Sequence, residues 1–287
     1  MTHWFVTWIG IIAACLQIFL NIRIFIRYRL TTLAWQKVEF QFIVLRTFLD
    51  LLLGISNLTL FCVSFPILLY PGSIPFDALF YVGLVVANFT IIRSFLAAAI
   101  AIERCIASEF PIKFYQHRRF ISNYPFFVFF IFTAIFDDFM LFGFCGISFP
   151  LDSTCATYLC ITPTCYKKYA KIYALIYGLI NYIFSFVLCC KLLSMYFRKI
   201  HYTHELKKAN SLCITDGLSS LIFDFLPAIV GNMGVINADD LGPIASVLRT
   251  VGRVFEAAVM YKLMSKYHSP QSMSVTVKHE KTTNMKF

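Results

Sequence analysis

Charged side chains interrupt long apolar runs at Arg46, Asp50, Arg93, Asp137, Asp138, Asp216, Asp224, Arg249, Arg253 and Glu256. Arg46 and Asp50 are four residues apart, so one helical face holds both and they can pair. Arg249, Arg253 and Glu256 follow an i, i+4, i+7 spacing and also share a face. Asp137 and Asp138 are adjacent, about 100° apart around a helix, so at most one easily faces a bundle centre. Asp224 stands three residues before Pro227, which lacks an N–H and allows a helix to bend. Two arginines on one face suit a carboxylate or a sulfate. Acids and bases on neighbouring helices can equally satisfy one another in a static salt network. The network reading is preferred for Arg46, Asp50 and Glu256, with Asp137 as a further member. The ligand reading is kept for Arg249, Arg253, Asp224 and Arg93.

The surroundings of these charges fix their solvent. The chain has 287 residues, of which 59% are hydrophobic, 17% aromatic and only 14% charged, with a mean hydropathy of +0.72. Soluble domains are about a quarter charged. A single water-soluble core cannot hide this much apolar surface, so the solvent is lipid. The net charge of +10 would suggest nucleic acid in a soluble protein. Here the basic residues fall between apolar runs and read as topology signals. Charges inside such runs are costly and each is a functional candidate.

Seven runs are long enough to cross a bilayer, which takes roughly 20 mostly apolar residues. They extend from Trp4 to Ile26, Phe40 to Leu69, Ala78 to Cys105, Pro125 to Phe149, Ile172 to Phe197, Ala209 to Val230 and Pro243 to Leu263. Pro66 is expected to kink or shorten the second. Of the 25 Lys and Arg residues, 18 follow runs one, three, five and seven, three follow the even runs, and four lie within runs. That bias predicts an external N-terminus and a cytoplasmic C-terminus. The expected organisation is a helical membrane domain over residues 1–263 and a polar tail over 264–287, rich in Ser and Thr and disordered. The first run is too long for a cleaved signal peptide and is read as an uncleaved span. No internal repeat of the transporter kind is present.

Cys145, Cys155, Cys160 and Cys165 cluster on the side expected to be oxidising and are the disulfide candidates, with three complete pairings open. No matching His pair accompanies them, so no metal site is expected. There is no Gly-rich phosphate loop, no HExxH and no GxSxG, hence no catalytic set and no enzyme. Asn57-Leu-Thr and Asn88-Phe-Thr match the glycosylation pattern but lie inside spans and are discounted.

The stretch RSFLAAAIAIERCIASEFP, Arg93 to Pro111, resembles the inner end of the third span of seven-helix receptors. There, Glu103-Arg104 would act as a latch released to a cytoplasmic partner. More specifically, the chain resembles the nematode serpentine chemoreceptors of the Srbc class. The resemblance rests on AIERCIASEFPIKFYQHR (Ala101 to Arg118), DDFMLFGFC (Asp137 to Cys145), the Cys155–Cys160–Cys165 pattern and LKKANSLCITDGLSSLIFDFLPA (Leu206 to Ala228). It implies a seven-transmembrane, G-protein-coupled-receptor-like all-α bundle. Glu103, Arg104 and Pro111 would serve G-protein coupling, Phe225 and Pro227 an activation hinge, and Asn21 and Asp50 the polar positions of spans one and two. Cys105 stands where that motif has an aromatic, Phe replaces Trp in the hinge, and NPxxY is missing from span seven.

The function implied is a chemosensory receptor in the plasma membrane, at the sensory-neuron cilium. It would detect a small extracellular ligand, an ascaroside-type pheromone or other small acid, and activate a heterotrimeric G protein. Other implied partners are the lipid membrane and a second receptor chain in a homo- or heterodimer. Neither cofactor nor nucleic acid is expected. The competing reading is an ion channel or transporter whose path is lined by Arg93, Asp137, Asp224 and Arg253. The odd span number and the lack of repeats weigh against it.

Overall fold

The computed structural model describes residues 2–30, 38–70, 76–118, 124–147, 158–197, 211, 214–227, 229 and 238–265. Every element among them is helical, with no strand. The helices are α1 (Thr2–Leu30), α2 (Val38–Leu69), α3 (Phe76–Glu109), α4 (Pro111–Arg118), α5 (Tyr124–Phe139), α6 (Tyr158–Ile161), α7 (Thr164–Phe197), α8 (214–227) and α9 (Ala238–Ser265). α5 continues into a π-helical turn over Met140–Phe144, and α8 contains a second over Leu221–Phe225. α2 runs through Pro66 to Leu69, so that proline neither shortens it nor ends it. The tail beyond Ser265 lies outside the described residues.

Among the described residues, five helical segments are long and apolar enough to cross a membrane: Trp4–Arg27, Gln41–Leu69, Asp77–Glu109, Tyr124–Phe144 and Thr164–Lys191. α9 carries Arg249, Arg253 and Glu256 within about two turns, in the middle of its apolar stretch. Its partners inside the bundle explain how it can carry them.

Adjacent helices close a ring. α1 packs on α2 and α9, α2 on α3, α3 on α5 and α7, and α8 on α7 and α9. α3 is the central element. Its Leu96, Ile100 and Ala101 meet Phe42 and Leu49 of α2, Phe130 of α5 and Leu188 of α7 in one core cluster. Ile24, Ile43, Val44, Ala257 and Met260 join α1, α2 and α9 in another.

The burial pattern is turned inside out relative to a soluble protein. The most completely enclosed side chains include Arg93, Gln17, Thr47, Thr250 and Asp137, while Phe5, Ile131, Phe132, Ile135 and Phe139 are exposed. Water would penalise such a surface, whereas lipid favours it and drives polar groups inward. Serine and threonine hydroxyls along the helices donate to the carbonyl one turn back, as at Thr47 to Ile43, Ser64 to Leu60 and Thr250 to Ser246. They are thereby satisfied without water.

Candidate functional site: an ion cluster and an arginine cleft

Four helices deliver charge to the bundle centre. Arg93 of α3 is fully enclosed. Its Nε donates to Asp50 Oδ1 at 2.8 Å, and its Nη2 donates to Asp216 Oδ1 at 2.7 Å and to Glu256 Oε2 at 2.9 Å. Arg46 of α2 reaches the same acids, with Nη2 2.6 Å from Glu256 Oε2 and 2.9 Å from Asp216 Oδ1. Its pairing with Asp50 one turn on is looser, at 3.6 Å. Arg253 of α9 donates to both carboxylate oxygens of Glu256, at 3.2 and 3.3 Å. One guanidinium on α3 thus ties together α2, α8 and α9. Breaking a buried pair of this kind leaves an uncompensated charge and costs ~3–5 kcal/mol.

The cluster extends outward through Asp224, which lies in the π-turn of α8. Its Oδ2 accepts from Arg253 Nη2 at 3.2 Å, and its Oδ1 lies 3.5 Å from Arg249 Nε. Arg46, Arg93, Arg249 and Arg253 therefore face Asp50, Asp216, Asp224 and Glu256, four positive charges against four negative. Burial decreases along the chain of contacts. The side chains of Arg253 and Glu256 are 6% and 3% exposed, Asp224 29% and Arg249 41%.

Beside this exposed end lies a narrow, solvent-open cleft with little internal volume. Leu53 and Asn57 of α2, Val86 and Thr90 of α3, and Ser246, Arg249 and Arg253 of α9 line it. Of the residues expected at a ligand, Arg249 and Arg253 are in its wall. Asp224 holds both from α8, and Arg93 lies in the ion cluster. Asn57, discounted as a glycosylation site, is a buried part of the same wall.

Asp137 stands apart from the cluster. It is buried and accepts from Tyr166 OH of α7 at 2.6 Å. Asp138 turns to α3, accepting from Asn88 Nδ2 at 3.0 and 3.3 Å. Adjacent positions on α5 thus reach two different helices, so each acid has a polar partner. Asn21 also lies outside the ion pairs. Its Nδ2 donates to the Gln17 carbonyl, and Gln17 Nε2 donates to the Asp50 carbonyl at 2.7 Å. Gln17 was not singled out from the sequence, although a lone amide in the middle of an apolar span is a signal of such a role.

The π-turn of α8 is wedged between two glycines. Phe225 lies on Gly178 of α7, where an added Cβ would come within 2.7 Å of the ring. Phe223 lies on Gly252 of α9, where a Cβ would be 2.8 Å from the Phe223 Cβ. Leu226 N–H donates to the Leu221 carbonyl, closing the wide turn immediately before Pro227. At the far end of α3, Glu103 and Arg104 are buried. Cys105 Sγ donates to the Phe184 carbonyl at 3.2 Å, and Lys191 pairs with Glu109. Pro111 begins α4 directly after α3 ends. Cys145 and Cys165 form a disulfide with Cα atoms 5.5 Å apart, joining the end of the α5 π-turn to the start of α7. Cys155, and the side chain of Cys160, lie outside the described residues.

Among the described residues, an all-helical bundle with apolar outer faces, five membrane-length apolar segments and ion pairs turned inward has the make-up of an integral membrane protein. The model of the family described as serpentine type 7TM GPCR chemoreceptor Srbc matches residues 1–268, and the chain belongs to that family. It is a chemoreceptor of the membrane. No curated protein matches it.

Proposed function

We propose that the protein detects a small extracellular acid in the Arg249–Arg253 cleft and passes the signal to a heterotrimeric G protein at the Glu103–Arg104 end of α3. The observation that carries this reading is Arg249. It is partly exposed in a cleft wall, and among the described residues its one ion pair is the long contact to Asp224. A guanidinium has five donors and binds carboxylates bidentately.

The direction of signalling depends on orientation. The excess of Lys and Arg after the odd spans favours an external N-terminus. The Cys145–Cys165 bridge supports the same orientation, because disulfides persist on the oxidising side. It lies near Phe80 at the start of α3, the half of that helix that also carries Val86 and Thr90. The cleft then opens outward, and Glu103, Arg104 and Pro111 face the cytoplasm. The hinge is the π-turn with Phe225 and Pro227, and a bend there moves the inner part of α8 relative to Arg104. An ascaroside-type acid at a sensory cilium fits this scheme.

A calcium or cyclic-nucleotide response screen against small excreted acids tests it, with Arg104→Ala as the signalling control. Responses lost in Arg249→Ala and Arg253→Ala at unchanged surface level are expected. Unchanged responses to every activating acid would overturn the cleft assignment. A channel would instead pass ligand-gated current in a membrane free of G proteins. The four charges such a path needs are not in one file, since Asp137 bonds Tyr166 away from Arg93, Asp224 and Arg253.

A further inference from the structure

We infer that Asp224 is the resident counterion of the ligand site, and that an incoming carboxylate acts by taking Arg249 and Arg253 away from it. This rests on the acid-binding reading of the cleft and states how occupancy becomes movement.

The charge balance motivates it. Among the described residues, the four arginines of the cluster are matched by four carboxylates, and Asp224 is the one that balances Arg249. A further anion in the cleft places a fifth negative charge beside a cluster whose arginines are already matched, and it competes with the resident carboxylates for the guanidinium groups. One carboxylate must give way. Asp50, Asp216 and Glu256 are buried, and each has an arginine nitrogen within 2.9 Å. Asp224 is the exception. It is the most exposed of the four acids, and its contacts to Arg253 and Arg249 are 3.2 and 3.5 Å long. Each contact uses a single guanidinium nitrogen; Arg253 Nη1 is already engaged by Glu256, so the fork open to a bidentate partner is that of Arg249, with Arg253 Nη2 beside it. The geometry permits an exchange, because Arg249 and Arg253 line the cleft while Asp224 holds them from α8.

The exchange has a mechanical consequence. α8 is tied by ions at two places, at Asp216 to Arg46 and Arg93, and at Asp224 to α9. Asp224 belongs to the π-turn that precedes Pro227. Releasing it frees the upper tie and leaves the lower one as a pivot. A π-turn differs from α-helical spacing by one residue, and a return to that spacing would rotate the residues on one side of it relative to the other. A ligand that binds the released arrangement more tightly shifts the population towards it.

The test uses the full receptor in lipid nanodiscs, with octanoate as the anionic probe and octanamide as its neutral partner. The midpoint of thermal unfolding is read against probe concentration. In the wild type, octanoate should raise the midpoint and octanamide should not. Asp224→Asn removes the competing anion, so half-maximal stabilisation should need roughly tenfold less octanoate, a change of ~1.4 kcal/mol in binding. Asp224→Glu reaches further toward both arginines and should need several-fold more. The two variants shift in opposite directions, so damage to folding alone cannot imitate the result. If octanoate acts through Arg249 but Asp224→Asn leaves its concentration dependence unchanged or weaker, the exchange is overturned while the cleft reading stands. If octanoate fails on the wild type, or stabilises Arg249→Ala equally, the cleft reading falls and the exchange falls with it.

Discussion

Arg93 of α3 and Asp216 of α8 meet at 2.7 Å with neither side chain more than 2% exposed, making the shortest ionic link between the central helix and the helix that carries the hinge. The same guanidinium nitrogen holds Glu256, so one side chain of the central helix carries ionic links to three neighbouring helices.

Replacing Arg93 should therefore be among the most damaging single changes in the bundle. Arg93→Ala leaves three buried carboxylates sharing Arg46 and Arg253 and should cost ~3–5 kcal/mol. Arg93→Lys keeps the charge, loses the planar fork and should fall between the variant and the wild type. Thermal unfolding in nanodiscs, with surface delivery as a second readout, measures both.

The disulfide closes a loop of 20 residues by sequence separation. Chain-entropy reasoning gives about 3 kcal/mol for a loop of this size. Cys145→Ala and Cys165→Ala should each lose about that much, and the double variant no more than either single one. A mild reductant should lower the wild-type midpoint to the same value. If the two single losses add, the cysteines are not partners.

Two glycines that seat the π-turn should differ in tolerance. At Gly252 an added Cβ meets Phe223 Cβ and Cγ, both at 2.8 Å, and the Cβ cannot move without a backbone shift. At Gly178 it meets one ring atom of Phe225 inside 3 Å, and a ring can tilt. Overpacking costs ~1–3 kcal/mol. Gly252→Ala should lie at the upper end of that range and Gly178→Ala at the lower, as read by thermal unfolding.

The Lys191–Glu109 pair should matter little to stability. Glu109 is 55% exposed, and Lys191 is 21% exposed. Exposed ion pairs contribute ~0–1 kcal/mol. Lys191→Ala should change the unfolding midpoint far less than Arg93→Ala, and a large loss would mean the pair is shielded by lipid.

Helical spacing makes faces legible but not the direction those faces take. The i, i+4, i+7 spacing places Arg249, Arg253 and Glu256 on one side of α9, and Arg46 with Asp50 on one side of α2. It is silent on whether Glu256 meets Arg46 across the bundle, because that depends on how each helix is rotated about its axis. Asp137 is the clearest instance. It resembles the other buried acids in sequence, yet it bonds Tyr166 of α7 and stays out of the cluster, because its face of α5 turns to α7 rather than to the arginines of α2, α3 and α9. Both π-turns escape a reading by propensity, since one extra residue in a turn changes no composition. The cysteine pairing was open for a similar reason. Four candidates allow three pairings, and only the approach of α5 to α7 brings Cys145 to Cys165.

The account depends most on the two cleft arginines reading an anion and passing that event to the cytoplasmic face. Nucleotide exchange on a purified heterotrimeric G protein, driven by the receptor in nanodiscs across a panel of small acids and their matched amides, tests this most directly. At least one acid should accelerate exchange where its amide does not, and Arg249→Ala should lose that acceleration while keeping its fold. Equal stimulation by acids and amides, or an acid response undiminished in Arg249→Ala, would contradict the account.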